Sequence, residues 1–418
     1  MTFAIKTLGC KVNIYETNVI IEQFVENGYR QVDFKEKADV YVINTCVVTN
    51  NALKKSNKMI KRSKKLNPNA IRVVTGCLVN YEEAVDASIV VGNNHKTEII
   101  NLVKNYKNKQ TIKTSLNNVL FEPMIVKTPP QTRAFVKIQD GCNNYCSYCI
   151  IPYVRGRERS KALADVIFEI SELINKNYQE IVLTGINIGA YGKDIGTSFN
   201  FLLEKILKIK DLKRLRISSI EITEVDEVFL KILKNKIIVN HLHIPLQSGS
   251  NQILKKMNRK YDIEYYINQL EKIKKIRPNI NLTTDLIVGF PGETDDDFQQ
   301  SVSLIKKINF SNVHYFPYSK RELTTSSTEI GLDKEIILKR TLLLEKEIKK
   351  LKKQHLLSLL KKEVAVLFEQ KKDNYYFGHT DDYYLVKIKS NQCLLNKIID
   401  VKIKTVEDFL LIGEERVK

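Results

Sequence analysis

The chain has 418 residues, 43% of them hydrophobic, so it is long enough to bury several cores, and its length predicts two or three packed domains. Its 67 lysines and arginines exceed its 48 aspartates and glutamates, and the net charge of +19 favours an acidic polymer as partner, although a lysine-rich proteome would also explain it. Because the sequence contains neither a run of about 18 apolar residues nor a secretory leader, we expect no membrane partner and a cytoplasmic protein.

The first hundred residues repeat one arrangement, in which a short apolar strand runs into a cysteine and is followed by a polar turn and a helix. The strands at residues 3–8, 40–43 and 71–74 lead to Cys10, Cys46 and Cys77. This pattern predicts a parallel α/β domain. Because ligands of parallel sheets bind beyond the carboxyl ends of the strands, the three thiols are expected to meet at one site.

Residues 104 to 132 are polar and irregular and contain Pro129-Pro130, which indicates an interdomain connection. The second domain alternates strands and helices, and its predicted strands are residues 134–138, 180–184, 214–218, 241–245, 281–288 and 312–316. Six such units are fewer than a full barrel requires, so we expect a partial, open (β/α)6 barrel. The predicted limits are 1–105 for the first domain, 106–130 for the linker, 131–358 for the barrel with a linking helix, and 359–418 for the last domain.

The last part begins with a lysine- and leucine-rich helix over residues 334–362. Residues 364–368, 383–388 and 398–404 then alternate apolar and polar side chains between turn signals, which predicts a small antiparallel β-barrel. Its aromatic residues could stack on RNA bases or fill its core, and they are Tyr375, Tyr376, Phe377, Tyr383 and Tyr384.

Seven cysteines in a chain without an export signal favour metal or cluster ligation over disulfides. The sharpest pattern is the CxxxCxxC triplet formed by Cys142, Cys146 and Cys149. Three thiolates from one loop leave one iron of a four-iron cluster open to a small molecule. A zinc site would need a fourth ligand, and the next histidine in sequence is His241. Cys393 has no partner motif.

The triplet resembles the cluster loop of radical S-adenosylmethionine (SAM) enzymes, with Tyr148 at the aromatic position before the third cysteine. The resemblance implies that SAM binds the open iron and is cleaved to a 5′-deoxyadenosyl radical. Thr184 and Gly185, which follow a strand, are placed like the loop that contacts the cofactor's amino group in that family. Tyr148, Thr184 and Gly185 are therefore the predicted cofactor contacts outside the cysteines.

The resemblance narrows to the methylthiotransferases. Their amino-terminal motifs are similar to the residues around Cys10, Cys46 and Cys77, and further similar runs are residues 151–157, 245–250, 285–294 and 317–321. The family implies two four-iron (4Fe–4S) clusters, one on each set of three cysteines, and assigns all six a catalytic role. One SAM donates a methyl group and a second generates the radical. The last domain is similar to the family's RNA-binding TRAM barrel.

The residues around Cys10 and the run 133–141 most resemble the branch that acts on N6-threonylcarbamoyladenosine beside the anticodon. The implied partners are a transfer RNA anticodon stem-loop, an electron donor such as flavodoxin or ferredoxin, and a sulfur donor. Alternatives are the isopentenyladenosine branch, the branch that modifies a ribosomal-protein aspartate, and a noncatalytic RNA-binding iron–sulfur protein. After Arg321 the chain departs from the Gly-Thr-Pro-like continuation expected of the family.

Overall fold

Six parallel strands form the first sheet of the computed structural model, which describes residues 1–82, 84–113 and 120–416. In chain order they are β1 (Thr2–Thr7), β2 (Arg30–Gln31), β3 (Val40–Thr45), β4 (Ile71–Gly76), β5 (Ile89–Val91) and β6 (Thr111–Lys113), and the sheet order is β2-β1-β3-β4-β5-β6. The helices are α1 (Lys11–Glu26), α2 (Asn50–Leu66) and α3 (Ile99–Lys104). Every residue of β3 is buried because this central strand is covered on both faces. The predicted parallel α/β fold is confirmed.

The segment predicted to be a linker contributes to this sheet. Strand β6 pairs with β5 in parallel, although it lies inside residues 106–130. Residues 114–119 of the predicted linker and 417–418 of the predicted last domain lie outside the described residues. The domain limits therefore stay a prediction. Within the described residues, no helix is long and apolar enough to cross a membrane.

The second part contains two parallel three-stranded sheets that form an open barrel. Its strands are β7 (Arg133–Lys137), β8 (Gln139–Asp140), β9 (Arg159–Ser160), β10 (Glu180–Thr184), β11 (Arg214–Ile217), β12 (His241–His243), β13 (Asn281–Val288) and β14 (Asn312–Pro317). Its helices are α4 (Ile151–Arg155), α5 (Leu163–Asn175), α6 (Phe199–Ile206), α7 (Glu227–Ile232), α8 (Asn251–Lys256), α9 (Ile263–Ile276), α10 (Asp295–Ile308) and α11 (Lys334–Leu357). The sheets have the orders β11-β10-β7 and β12-β13-β14, and a bridge between Leu215 and Ile238 joins them. The six strands predicted from sequence are all present.

The two faces of these sheets differ in chemistry because successive side chains of a strand point to opposite faces. Val136 and Val313 lie on the outer face, in the core that the strands share with the helices. His314, the neighbour of Val313, points the other way and pairs in register with Asp285. The inner face of the open barrel is therefore polar, and the protein's largest apolar core lies outside it.

Five strands form the closed barrel at the carboxyl end of the chain. They are β15 (Glu363–Lys372), β16 (Tyr375–Thr380), β17 (Leu385–Lys389), β18 (Ile398–Glu407) and β19 (Leu410–Glu415), in the order β15-β16-β17-β19-β18. All neighbouring pairs are antiparallel except β17 and β19, which are parallel. The predicted small β-barrel is confirmed, with this one parallel pair as a refinement.

This terminal barrel docks against the amino-terminal ends of the open barrel's strands. Arg214, the first residue of β11, donates to the Ala365 carbonyl oxygen at 2.8 Å. Arg133, the first residue of β7, pairs with Glu369 at 3.0 Å. Asp382, in the turn between β16 and β17, accepts a hydrogen bond from Asn240, the residue before β12. The terminal barrel thus lies at the end of the strands opposite their carboxyl edge.

Because the Asp382 carboxyl is partly buried at this interface, we expect the stability of the protein to depend on pH. Burial, with a contribution from Asp381, raises its pKa to about 6, against the opposing charges of Arg216 and Arg214. Because the folded pKa exceeds the unfolded value, the stabilisation is full below about pH 4 and is lost as the pH rises through about 6. We expect Asp382→Asn, which keeps an acceptor for Asn240, to add about 1–3 kcal/mol of stability at about pH 8 and to flatten this dependence.

The measurement is the melting temperature of wild type and Asp382→Asn between about pH 5 and pH 8. Asp373→Asn is the matched control, because Asp373 is exposed in the turn between β15 and β16. If the melting temperatures of wild type and Asp382→Asn change with pH in the same way, the interface does not raise the pKa of Asp382 and the prediction is contradicted.

Candidate active site

The first three cysteines lie at one edge of the amino-terminal sheet, where β1, β3 and β4 end. The turn before Cys10 packs on the next loop, since Gly9 has a φ of +97° and a Cβ on it would lie 2.9 Å from Cys46 Sγ. Asn13 ties the same loops together by donating to the Thr45 carbonyl oxygen at 2.9 Å. The structure therefore brings together the thiols that the strand-end pattern predicted to meet.

These three thiols differ in their surroundings. Cys10 is exposed, whereas Cys46 and Cys77 are buried. Burial raises the pKa of the Cys46 thiol to about 11, and the Cys77 and Cys10 thiols add to this effect. Burial also raises the pKa of Cys77, against the opposing charge of Arg155. Two of the donors are thus buried, and the third is exposed.

The CxxxCxxC loop between β8 and α4 brings its three thiols together. The Cys149 amide donates to the Cys146 carbonyl oxygen at 2.9 Å, and the Asn144 amide donates to Cys142 Sγ at 3.4 Å. Burial raises the pKa of Cys142 to about 11 and that of Cys149 to about 12, and the Cys146 thiol contributes to both. Cys393 is exposed, between β17 and β18 of the terminal barrel.

Both sets of thiols fit an iron–sulfur cluster by the chemistry of their donors. Each set supplies three soft ligands from loops at one edge, which leaves one iron of a four-iron cluster without a protein ligand. Within the part of the chain that the structure describes, no group of three or more His, Cys, Asp or Glu side chains is arranged to hold a single metal ion.

A buried ion-pair network connects the two cysteine loops. Glu16 of α1 pairs with Lys96, with Lys137 at 2.7 Å and with Arg155 at 3.1 Å. Arg155 and Lys137 also pair with Asp140, at 2.9 and 2.7 Å. None of these side chains is more than 2% exposed. Burial alone would raise the pKa of Glu16, but its three cationic partners hold that pKa well below its ordinary value.

The predicted cofactor contacts lie beside the CxxxCxxC loop. The Tyr148 ring packs edge-on against Phe290, with 6.5 Å between the ring centroids. Thr184 is buried at the end of β10, and a Cβ on Gly185 would approach the Gln139 carbonyl oxygen to 2.9 Å. Glycine at position 185 is therefore required by packing of the protein on itself. Contacts of Tyr148, Thr184 and Gly185 with SAM stay a prediction.

The segment that begins at Arg321, where the sequence departs from the family pattern, forms hydrogen bonds with both the amino-terminal domain and the CxxxCxxC loop. Arg321 Nη1 donates to Asn50 Oδ1 at 2.9 Å, at the start of α2. The Ser326 amide donates to the Ser147 carbonyl oxygen at 2.8 Å, inside the CxxxCxxC loop. Tyr318 of the preceding motif bonds to the Ser326 carbonyl oxygen at 3.0 Å. The unusual residues after Arg321 thus support the loop.

The inner face of the open barrel carries polar side chains from both sheets. His243 pairs with Asp285 at 3.1 Å and lies edge-on to His314, with 5.6 Å between their ring centroids. On the other sheet, Arg216 pairs with Glu180 at 2.5 Å. Such a lining can bind a polar aromatic ring through hydrogen bonds and stacking.

The aromatic residues of the terminal barrel do not form one RNA-stacking surface. Tyr376 is 1% exposed and belongs to the barrel core, which confirms for this residue the alternative that it fills the core. Tyr383 faces the open barrel, where it stacks on His241 with 5.2 Å between ring centroids, and the Arg216 guanidinium lies 4.8 Å from its ring centre. Tyr384 packs against the barrel core, whereas Tyr375 stays exposed.

Sequence reasoning missed Arg259. Its guanidinium pairs with Glu221, which follows β11, and approaches Cys146 Sγ to 3.5 Å. No spacing signal marks it, because it is one of 67 basic residues and follows no glycine or cysteine motif. A fixed positive charge at this position compensates the negative charge of a cysteine thiolate.

Two family models match the chain. The first, described as the radical SAM superfamily, matches residues 136–305. The second, described as uncharacterized protein family UPF0004, matches residues 2–113. The two matches cover the open barrel and the amino-terminal sheet respectively.

Curated relatives match almost the whole chain. Threonylcarbamoyladenosine tRNA methylthiotransferase MtaB of Bacillus subtilis is 39% identical, with 96% of this chain and 93% of the relative covered. The protein of the same name from Thermotoga maritima is 36% identical, with 93% and 94% covered. The tRNA-2-methylthio-N(6)-dimethylallyladenosine synthase of Clostridium tetani is also 36% identical, with 99% and 96% covered.

Solved structures share the fold at low sequence identity. The radical S-adenosylmethionine methyltransferase TsrM from Kitasatospora setae superposes with a TM-score of 0.57 at 14% identity, and 78% of this chain and 77% of that chain are covered. The cobalamin-dependent radical enzyme OxsB gives a TM-score of 0.51 at 13% identity, with 84% and 56% covered. At these identities the likeness concerns the fold alone.

Proposed function

The chain belongs to the radical SAM methylthiotransferase family, and on that premise we propose that it converts N6-threonylcarbamoyladenosine beside the anticodon of transfer RNA into its 2-methylthio derivative. The observation that carries this proposal is the pair of three-thiol sets joined by one buried network, in a chain 39% identical to a relative of that name. The family uses SAM and iron–sulfur clusters.

In this proposal each set of cysteines holds one four-iron cluster. Cys142, Cys146 and Cys149 ligate the first cluster, and Cys10, Cys46 and Cys77 ligate the second. The bound groups supply a carbon-centred radical at the first site and sulfur with a methyl group at the second. The protein's own contribution is geometric, because the Glu16 and Arg155 network fixes the two loops relative to each other.

The side chains around the CxxxCxxC loop orient the cofactor and exclude water. We assign SAM contacts to Tyr148, Thr184 and Gly185, with Arg259 balancing the thiolate charge near Cys146. A primary carbon radical reacts with any neighbouring molecule, so a covered cavity is required. The polar inner face with His243 and Asp285 receives the adenine base in this arrangement.

The transfer RNA partner is supported by a basic surface on α2. This helix begins at Asn50, where Arg321 attaches, and has no acidic residue among its 17. Of its seven exposed basic residues, Lys64 pairs with Asp86 at 2.9 Å. The other six form what we call the α2 basic face, which consists of Lys54, Lys55, Lys58, Lys61, Arg62 and Lys65. A helix of this length extends about 25 Å, which matches the reach needed to follow an anticodon-stem backbone away from the site.

Neutralising part of the α2 basic face is expected to weaken RNA binding. In the triple variant Lys54→Gln, Lys58→Gln and Lys61→Gln, lost phosphate contacts should raise the KM for an anticodon stem-loop about tenfold and lower the salt dependence of binding by about two to three charges. Binding is measured by fluorescence anisotropy at several salt concentrations.

The charge-matched control neutralises three exposed lysines before β11. They are Lys208, Lys210 and Lys213. This control should leave the KM for the stem-loop within about twofold of wild type. If both triple variants weaken binding of the stem-loop equally, the effect comes from the net charge of the protein and the α2 basic face has no specific role.

The substrate assignment is tested by the modified nucleosides of transfer RNA. A strain that lacks the gene should lose 2-methylthio-N6-threonylcarbamoyladenosine and accumulate its unmethylthiolated precursor, and a plasmid copy should restore the product. Mass spectrometry of digested transfer RNA measures both nucleosides. Unchanged product in a strain without a second such enzyme contradicts the assignment.

A second candidate substrate is N6-isopentenyladenosine. It is favoured by relatives named for dimethylallyladenosine that are 36% identical to this chain. The same nucleoside profile separates the two, because only one of the two methylthio products disappears on deletion.

The remaining partners follow from the chemistry of the proposed reaction. Reductive cleavage of SAM needs an electron, so we propose a donor such as a flavodoxin or a ferredoxin. Each turnover consumes a sulfur atom, so a sulfur donor must replace it. The proposed substrate places the reaction in the cytoplasm, where transfer RNA is modified.

A further inference from the structure

A cavity of about 550 Å³ lies where the terminal barrel meets the open barrel. Its walls come from the amino-terminal ends of β12 and β13, from the end of α11, from the start of β15 and from the turn between β16 and β17. The volume falls within the range of about 300–1,000 Å³ that small-molecule sites occupy. Among the described residues, its lining contains no cysteine and none of the predicted cofactor contacts, so the cavity is separate from the candidate active site.

Two acceptor oxygens of lining residues have no hydrogen-bond donor. Asn281 is 7% exposed, and its Nδ2 donates to the Asp382 carbonyl oxygen at 2.5 Å. This bond fixes the orientation of the amide, and no donor within the described residues reaches its Oδ1. Oδ1 of the Asp382 carboxylate accepts from Asn240, whereas no donor in the same part of the chain reaches Oδ2. A buried acceptor without a donor is costly unless a ligand supplies one.

The Asp382 carboxylate is unfavourable for folding at its own position. Burial and the neighbouring Asp381 raise its pKa to about 6, so its surroundings disfavour the ionised form that prevails at about pH 8. For this reason Asp382→Asn is expected to stabilise the protein. A side chain that lowers the stability of the fold is typical of a binding site, where a ligand contact is kept at a cost in stability.

The same cavity also has two lysines without a carboxylate partner. Lys274 is partly buried and donates to the Ile308 carbonyl oxygen at 2.9 Å, and Lys362 is exposed. Neither forms an ion pair within the described ranges of the chain. Glu363, which also lines the cavity, pairs with Arg416 at 3.1 Å instead. The lining therefore offers free acceptor oxygens together with free ammonium groups.

We propose that this cavity binds a guanine nucleotide, as an unpaired residue of RNA or as a free nucleotide. Guanine carries two adjacent donors on its Watson–Crick edge, N1–H and the N2 amino group, which suit the acceptors of Asp382 and Asn281. Adenine, cytosine and uracil each have a single donor group on that edge. The phosphate suits Lys274 and Lys362, and the base can pack on Tyr384. This second site goes beyond the proposed function, because it does not involve the reacting nucleoside.

The first test measures nucleotide binding to the reconstituted full-length protein by isothermal titration calorimetry at about pH 8. Saturating SAM is present, so that the candidate active site is occupied. Guanosine 5′-monophosphate is expected to bind about 10- to 100-fold more tightly than adenosine 5′-monophosphate. Inosine 5′-monophosphate, which lacks the N2 amino group, should lie between them.

The second test distinguishes the two sources of guanine. It uses single-stranded RNA pentamers that carry one central guanosine or adenosine between uridines. If the ligand is a residue of RNA, the guanosine pentamer should bind at least about tenfold more tightly than the adenosine pentamer. If the ligand is a free nucleotide, only the monophosphates should show this preference. No preference for guanine in either form overturns the proposal.

Variants assign the binding to this cavity. Asp382→Asn places an amide donor against the donors of guanine, so it should weaken binding of guanosine 5′-monophosphate at least about tenfold while raising the melting temperature at about pH 8. The rise in melting temperature shows that the variant is folded. Lys362→Gln should weaken binding of the monophosphate and leave binding of guanosine unchanged. Asp373→Asn, in an exposed turn, is the control and should change neither. Unchanged guanine binding by Asp382→Asn overturns the proposal.

Discussion

Cys149→Ala is expected to abolish 5′-deoxyadenosine formation, with at least about a 10⁴-fold loss, and to remove about half of the bound iron. The physical reason is that Cys149 is one of the three thiols that we propose to ligate the first cluster, and its loss leaves only Cys142 and Cys146 in this loop. S-adenosylhomocysteine, which reports methyl transfer at the second cysteine set, should still form.

A variant in the other cysteine set, Cys46→Ala, is expected to have the opposite effect on the two SAM products. Cys46→Ala should abolish S-adenosylhomocysteine formation and retain uncoupled 5′-deoxyadenosine formation, because the CxxxCxxC loop is intact. Cys393→Ala is the matched control, since this exposed cysteine lies in neither set. Chromatography of the two SAM products under anaerobic conditions measures both reactions. Loss of both products in either single variant contradicts the division of work between the two cysteine sets.

Glu16→Gln is expected to destabilise the protein by about 3–5 kcal/mol. The substitution preserves shape but removes the charge that faces Lys96, Lys137 and Arg155, all of them buried. Asp140 still pairs with Lys137 and Arg155, whereas Lys96 stays buried without a carboxylate partner. Because Glu16 follows Cys10 in α1 and Asp140 precedes Cys142, we also expect weaker retention of both clusters.

The free energy of unfolding from urea titration measures this effect. Glu26→Gln, on the same helix, is the control: Glu26 pairs with Lys127 at 2.6 Å, but both side chains are more than half exposed. Such surface pairs contribute about 0–1 kcal/mol. A Glu16→Gln protein within about 1 kcal/mol of wild type would mean that the network is not what joins the two loops.

Sequence reasoning succeeded where the determining signal is local. The spacing of Cys142, Cys146 and Cys149 lies within one loop, so their convergence needs no knowledge of the rest of the fold. The convergence of Cys10, Cys46 and Cys77 was predictable for a different reason, because the ends of neighbouring parallel strands share one edge. The small terminal barrel was visible in its alternating strands, although β16 and β19 were not predicted.

Sequence reasoning failed where residues distant in the chain meet. Nothing local marks Glu16 and Arg155 as partners, since each is one charged residue among many. The same holds for Arg259 beside Cys146, and for Tyr383, whose ring serves the interface with the open barrel. These contacts depend on how the parts pack, and packing is decided by the whole set of surfaces.

The terminal barrel and the α2 basic face lie at different ends of the molecule's strands, and both bear on where RNA binds. This barrel contacts the strand ends opposite the carboxyl edge of the sheets, through contacts such as that of Arg214. The α2 basic face instead begins beside Cys46 and Arg321. In the proposed function a transfer RNA contacts the α2 basic face, and Tyr383 joins the terminal barrel to the open barrel. RNA binding by the terminal barrel stays a prediction.

The most direct test of the account is product analysis of one anaerobic reaction. Reconstituted protein, SAM, a reductant, a sulfur source and a stem-loop with N6-threonylcarbamoyladenosine are combined, and mass spectrometry follows the nucleoside and both SAM products. The account predicts about one S-adenosylhomocysteine and one 5′-deoxyadenosine for each 2-methylthio nucleoside, with about eight iron atoms per chain. Formation of the methylthio nucleoside by Cys149→Ala, or its absence in the wild-type reaction, would contradict the account.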